Sequence, residues 1–151
     1  MSDLLSQEQK QAIRNGLIDS AHKLLGVRYD FGAEWKNHSV IPEALDCSEL
    51  VEGVYALQRL QPAMPDGSQN QFTFTIQTSK PLPGDLAFFG RGANPHQIYH
   101  VGMVYDSVYM IEARGLDLKA SFKTGEVILR PIKRWEAYKN FMGFRAHPKL
   151  V

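Results

Sequence analysis

Cysteine is almost absent: the 151-residue chain has one. A single thiol excludes an intramolecular disulfide framework and any zinc site built from several cysteines. An excess of charge of either sign is missing too. Lys and Arg number 17 against 16 Asp and Glu, for a formal net charge of +1. Composition therefore offers no basic footprint for nucleic acid. No run approaches the roughly 20 apolar residues of a membrane span. The opening residues, MSDLLSQEQKQ, lack a basic start followed by an apolar core, which argues against a conventional secretory signal. The expectation is a chain that is cytoplasmic as synthesised. Gly and Pro are scattered, which excludes collagen-like and disordered chains. No Gly-rich phosphate loop of Walker or dinucleotide type occurs, and no cofactor motif. Gly90 and Gly92, within GRGANPH, read as a loop near a cleft rather than a phosphate cradle.

What is present is ordinary globular composition, 44% hydrophobic and 22% charged, in a length that suits one domain over residues 1–151. There is no internal repeat, low-complexity tract or linker. Helical patterns fill the first half and strand patterns the second, an order that predicts an α+β domain. Ile13, Leu17, Ile18, Ala21, Leu24 and Leu25 recur at helical spacing and predict a helix over 7–25. Ser6 with Gln9 makes a capping box, and Gly26 a stop. Residues 27–45 read as a structured loop. Asp46 opens a second helix that runs to Leu60, with Glu49 completing another capping box. Residues 62–84 read as a surface wrap with a short strand at Phe72–Ile76. Five strands follow, at 85–89, 100–105, 108–113, 127–131 and 141–145, with a short helix at 133–138. They predict a curled, five-stranded antiparallel sheet with helices packed on one side.

Cys47 lies in the first turn of the second predicted helix. Unpaired backbone N–H groups and the helix dipole favour an anion there. Such a setting lowers a thiol pKa and makes the thiolate, the reactive form, available. The bland alternative is a small buried hydrophobe. A cysteine nucleophile also needs a base. Five histidines are present. His22 reads as structural or partly exposed, His38 lies in a loop and His147 in the C-terminal tail. His96 and His100 share an H-x-x-x-H spacing, but Pro95 and Gln97 place His96 in a loop, so a metal site is not expected. His100 starts the run HVGMVY, in which His100, Gly102 and Val104 share a face, and small Gly102 leaves space beside the imidazole. A hairpin loop of three residues, Tyr105–Ser107, would set Glu112 opposite His100, where a carboxylate could fix the tautomer and support the charged ring. A two-residue loop would turn Glu112 to the other face and leave it a solvated strand-edge charge.

These residues carry a family resemblance. DCSELVEGVY resembles the nucleophile motif of the NlpC-type cysteine peptidases, papain-like bacterial cell-wall endopeptidases. LPGDLAFFG resembles their Pro-Gly-Asp-Leu strand, and HVGMVYDSVYMIEA their His-Val-Gly segment with the following strand. Order and spacing match over about residues 10–145. The resemblance implies an α+β, papain-like core. It implies Cys47 as nucleophile, His100 as general base and Glu112 as third catalytic residue. It further implies that Tyr29, Asp46 and Ser48 bind substrate. Glu112 stands where the family most often has His, and Glu49 where it usually has Gly. Glu49 could complete the helix cap or recognise a cationic group. Arg114 could pair with a substrate carboxylate but reads as an exposed charge.

The implied activity is hydrolysis of amide bonds in peptidoglycan stem peptides, without metal or cofactor. Peptidoglycan would then be the partner, with a phage virion or a secretion system as a further one, and the cell wall the destination. A rival reading keeps the fold but gives an acyl-transferring or catalytically inactive module, such as a phage tail component.

Overall fold

The computed structural model describes residues 4–117 and 121–151. Helix α1 (Gln7–His22) starts at the expected cap: Ser6 accepts from the Gln9 amide, and the Gln9 side chain accepts from the Ser6 amide. It stops before residue 25 because Gly26 adopts a φ of 86°, a conformation glycine allows at a helix end. The Gly26 amide turns to the carbonyl of Val127 instead. The predicted loop that follows contains two short strands, β1 (Arg28–Tyr29) and β2 (Ala44–Leu45), paired in parallel. Two-residue strands leave no periodicity to read.

Helix α2 (Cys47–Leu57) is nearly all buried: Leu50, Val51, Val54 and Tyr55 pack into the core, and Gly53 lies against Trp35. It ends three residues earlier than the sequence suggests. Residues 72–76 are not a strand. Helix α3 (Ser68–Phe74) occupies most of that stretch, and strand β3 (Ile76–Thr78) follows it. Local polar bonds account for the difference. Thr75 Oγ1 donates to the Gln71 carbonyl, and Gln71 Nε2 donates to the carbonyls of Ser48 and Pro65. These bonds outweigh the strand preference of an aromatic, β-branched run.

Strands β4 (Leu86–Gly90), β5 (Ile98–Val104), β6 (Tyr109–Asp117), β7 (Ser121–Pro131) and β8 (Phe141–Ala146) match the five expected, with helix α4 (Ile132–Glu136) before the last. The sheet, however, has eight strands, ordered β2-β1-β7-β6-β5-β4-β8-β3. The short strands β1, β2 and β3 extend both edges, and the β1–β2 pair makes it mixed rather than purely antiparallel.

Helices do not cover one side alone. Leu86 and Phe88 face the core shared with α1 and α2, while Ala87 and Phe89 face a second, smaller core around Trp135 of α4. All of Leu86–Gly90 is buried, so the unbroken apolar run LAFF marks a strand covered on both faces. Among the described residues no helix is long and apolar enough to cross a membrane.

Candidate active site

Asp46 is the N-cap of α2: its Oδ1 accepts from the Glu49 amide at 3.0 Å and from Ser48 Oγ at 3.2 Å. The reciprocal half of a capping box is absent here. Glu49 is buried and its Oε1 accepts from the backbone amide of Trp35 at 2.9 Å. Its job is to tie the loop between β1 and β2 to α2, which replaces both roles weighed for it from the sequence. The cap fixes Cys47 at the first helical position, half-buried, with the dipole and free amides of the helix start beneath it.

The hairpin between β5 and β6 sets the rest of the site. Met103 pairs with Ile111 and Val104 with Met110, and the Tyr105 amide bonds the Tyr109 carbonyl. The loop therefore holds three residues, as one sequence reading required, but they are Asp106–Val108 rather than Tyr105–Ser107. Register moves by two residues, which keeps every side chain on its face. Gly102, not His100, lies across from Glu112. His100 reaches the carboxylate along the diagonal, with Nε2 donating to Glu112 Oε1 at 2.8 Å.

Gly102 does leave a space, and the indole of Trp135 fills it. A Cβ on residue 102 would stand 2.5 Å from that ring. Trp135 stacks beside His100 and Phe89, with ring centres 5.5 Å and 4.6 Å away.

Glu112 is not a solvated edge charge: it is 1% exposed. An ionised carboxylate at such a site needs partners. Besides His100, Arg130 grips both oxygens, Nε to Oε2 at 2.8 Å and Nη2 to Oε1 at 3.0 Å. Trp135 Nε1 donates to Oε2 at 2.7 Å. Burial alone would raise the Glu112 pKa, but His100 and Arg130 prevail and lower it. For His100, burial pulls the pKa down, and hydrogen bonding and charge from Cys47 and Glu112 push it up to about 9. With Nε2 held by Glu112, Nδ1 is the ring nitrogen free to serve Cys47. At neutral pH this arrangement holds an imidazolium beside the thiol.

Tyr29 is buried next to these groups. Its pKa is pushed up to about 12, first by burial and then by the charges of Cys47, Asp46 and Asp30. Cys47, His100, Glu112, Tyr29, Asp46 and Ser48 are thus brought together. Arg114, two residues beyond Glu112 on β6, is half-buried rather than exposed, and its Nε donates to the neighbouring Gly115 carbonyl. His22 bonds the Tyr105 hydroxyl, and His147 is fully buried rather than in a free tail.

Arg130 and Trp135 are the residues that sequence reasoning missed. A signal existed. Arg130 interrupts the apolar run VIL and pairs with Met110, on the same face as Glu112, so a buried Glu could have been matched to it.

Among the described residues, the group spaced to hold a metal ion is Glu49, Glu52 and Asp66, whose ligand atoms lie within 4.8 Å of one another. Burial, then hydrogen bonding and charge from Glu49 and Asp66, pushes Glu52 up to about 8. A proton shared among these carboxylates accounts for their approach at neutral pH.

A family model described as the NlpC/P60 family matches residues 26–138. The chain belongs to the NlpC/P60 family. Solved NlpC/P60 structures share its fold. The P60 domain of an M. avium subspecies paratuberculosis antigen is 20% identical with a TM-score of 0.67, over 94% of this chain and 98% of that one. An NlpC/P60 family protein from Bacillus cereus is 20% identical with a TM-score of 0.65, over 89% of this chain. This chain spans only 40% of the length of that protein. The NlpC/P60 domain of the peptidoglycan hydrolase SagA is 22% identical, with a TM-score of 0.59 over 80% of this chain and 91% of that domain. No curated protein matches the sequence.

Proposed function

We propose that this NlpC/P60 chain is a cysteine peptidase or amidase that hydrolyses amide bonds in peptidoglycan stem peptides. The observation that carries the reading is His100, bonded through Nε2 to the buried Glu112 and set beside Cys47, whose hydrogen bonding and charge help raise its pKa. The naming of SagA as a peptidoglycan hydrolase supports the substrate class.

In this reading the Cys47 thiolate attacks the scissile carbonyl carbon. The backbone amide of Cys47 helps hold the oxyanion. The tetrahedral adduct collapses, the C–N bond breaks, and the imidazolium gives its proton to the leaving amine. Neutral His100 then takes a proton from water as that water attacks the thioester. The carboxylic acid leaves, and the thiolate–imidazolium pair is restored. Tyr29, Asp46 and Ser48 line the approach, where the Asp46 carboxylate suits a substrate's free amino end. Delivery to the wall by a phage particle or an export system belongs to the same proposal.

The buried Glu112 favours this reading over an inactive module. A lapsed site has no need of an ionised carboxylate held by four hydrogen bonds. Purified stem peptides incubated with wild type, Cys47→Ala and His100→Ala, with products read by mass spectrometry, test it. Wild type should cleave and both variants should lose cleavage while keeping their circular dichroism. Cleavage that survives in Cys47→Ala would exclude the thiol mechanism.

A further inference from the structure

Glu112 is held more firmly than an orienting residue requires. Its two oxygens receive four hydrogen bonds, two of them from the single guanidinium of Arg130. Bidentate pairing fixes the plane of a carboxylate as well as its place. Arg130 is itself 7% exposed and lies within 5.1 Å of the Trp135 ring centre and 5.3 Å of the Tyr138 ring centre. Its Nη1 donates to the Tyr138 hydroxyl at 3.3 Å. The guanidinium is therefore stacked and locked, and it locks Glu112 in turn.

A neutral Asn, Gln or His orients an imidazole without adding charge. Glu adds a buried negative charge next to a thiolate, which would oppose ionisation of the thiol. Arg130 offsets that charge at both oxygens of the carboxylate.

We infer that Arg130 is a positioning residue of the catalytic site, aiming the Glu112 carboxylate at His100 and offsetting its charge so that Glu can serve as third residue. The inference rests on the proposed roles of Cys47 and His100. The charged and titratable groups that act on His100 and Glu112 are Cys47 from α2 and Arg130 from β7, while Tyr29 of β1 and the cap residue Asp46 lie against Cys47, and Tyr138 after α4 lies against Arg130.

The test measures two quantities in wild type, Arg130→Met and Arg130→Lys. One is the pH midpoint of His100, from its ring resonances in NMR, which needs no substrate. The other is kcat and KM on stem peptides. Removing the cation leaves Glu112 unopposed, so Arg130→Met should raise the His100 midpoint by about one unit. It should also lower kcat by about tenfold or more with KM little changed. Arg130→Lys keeps the charge but loses the fork. It should hold the midpoint near wild type and still lose several-fold in kcat. If Arg130→Met fails to fold, the Lys variant decides alone.

Wild-type kcat in a folded Arg130→Lys, or an unmoved midpoint in a folded Arg130→Met, would overturn the inference. A wild type that cleaves no stem peptide would remove the substrate reading. The His100 midpoints would then still decide whether Arg130 governs the pair.

Discussion

At the scale of single residues, Glu112 determines how the site behaves with pH. Its carboxylate supports the proton on His100, against a burial effect that works the other way. Replacing it with Gln keeps the shape and a neutral acceptor but removes the charge. Burial then acts with less opposition, and the His100 pKa must fall from about 9. The imidazolium form, and with it the thiolate–imidazolium pair, would be lost at lower pH. In Glu112→Gln the alkaline limb of kcat/KM should move to lower pH, and the rate at neutral pH should fall by at least about tenfold. A pH–rate profile on a stem peptide reads both. An unmoved alkaline limb would show that Glu112 does not act through His100.

At the scale of elements, the site is a junction between a helix start and a strand hairpin. The helix start was legible. Asp46 before an apolar run is a strong cap signal, and it places Cys47 correctly. The face shared by His100 and Gly102 within one strand was legible too. The register, and with it the face of Glu112, was not, because a two-residue and a three-residue loop both fit the sequence. Nor was the partner of Gly102, because Trp135 comes from an element more than 30 residues away.

That contact makes a prediction. In Gly102→Ala the new Cβ would meet the Trp135 ring at 2.5 Å and Glu112 Cβ at 3.3 Å. The indole must move, and its bond to Glu112 moves with it. Such overpacking costs about 1–3 kcal/mol, readable by urea denaturation, and activity at neutral pH should fall further than that loss explains. Full activity would mean that Trp135 does not help hold the carboxylate.

At the scale of the whole molecule, buried polar ties join distant parts of the chain. Arg14 on α1 pairs with Asp85 at 2.7 Å and also donates to the carbonyls of Pro83 and Leu150. Asp85 Oδ2 accepts from the Leu82 amide, and the Tyr55 hydroxyl reaches the Gly84 carbonyl. The Pro-Gly-Asp segment thereby links both helices and the C-terminus to the first central strand. Its sequence suggested a strand entry and hid this role, because Arg14, Tyr55 and Leu150 all lie far from it in sequence. Likewise β1, β2 and β3 are too short to show a pattern, and only pairing in the folded sheet defines them. Breaking the buried pair should be costly: Asp85→Asn leaves Arg14 buried with a neutral partner. A loss of about 3 kcal/mol in denaturant unfolding is expected. A loss under about 1 kcal/mol would show that the ion pair is not an anchor of the fold.

Whether Cys47 and His100 work as one pair is read most simply from the rate of Cys47 alkylation by iodoacetamide at pH 7, in wild type and His100→Ala. The thiolate is the reactive form of the thiol, and a neighbouring imidazolium supports it. Wild type should alkylate readily, and His100→Ala should react about tenfold or more slowly. Equal rates in the two folded proteins would contradict the claim that Cys47 and His100 form one catalytic pair.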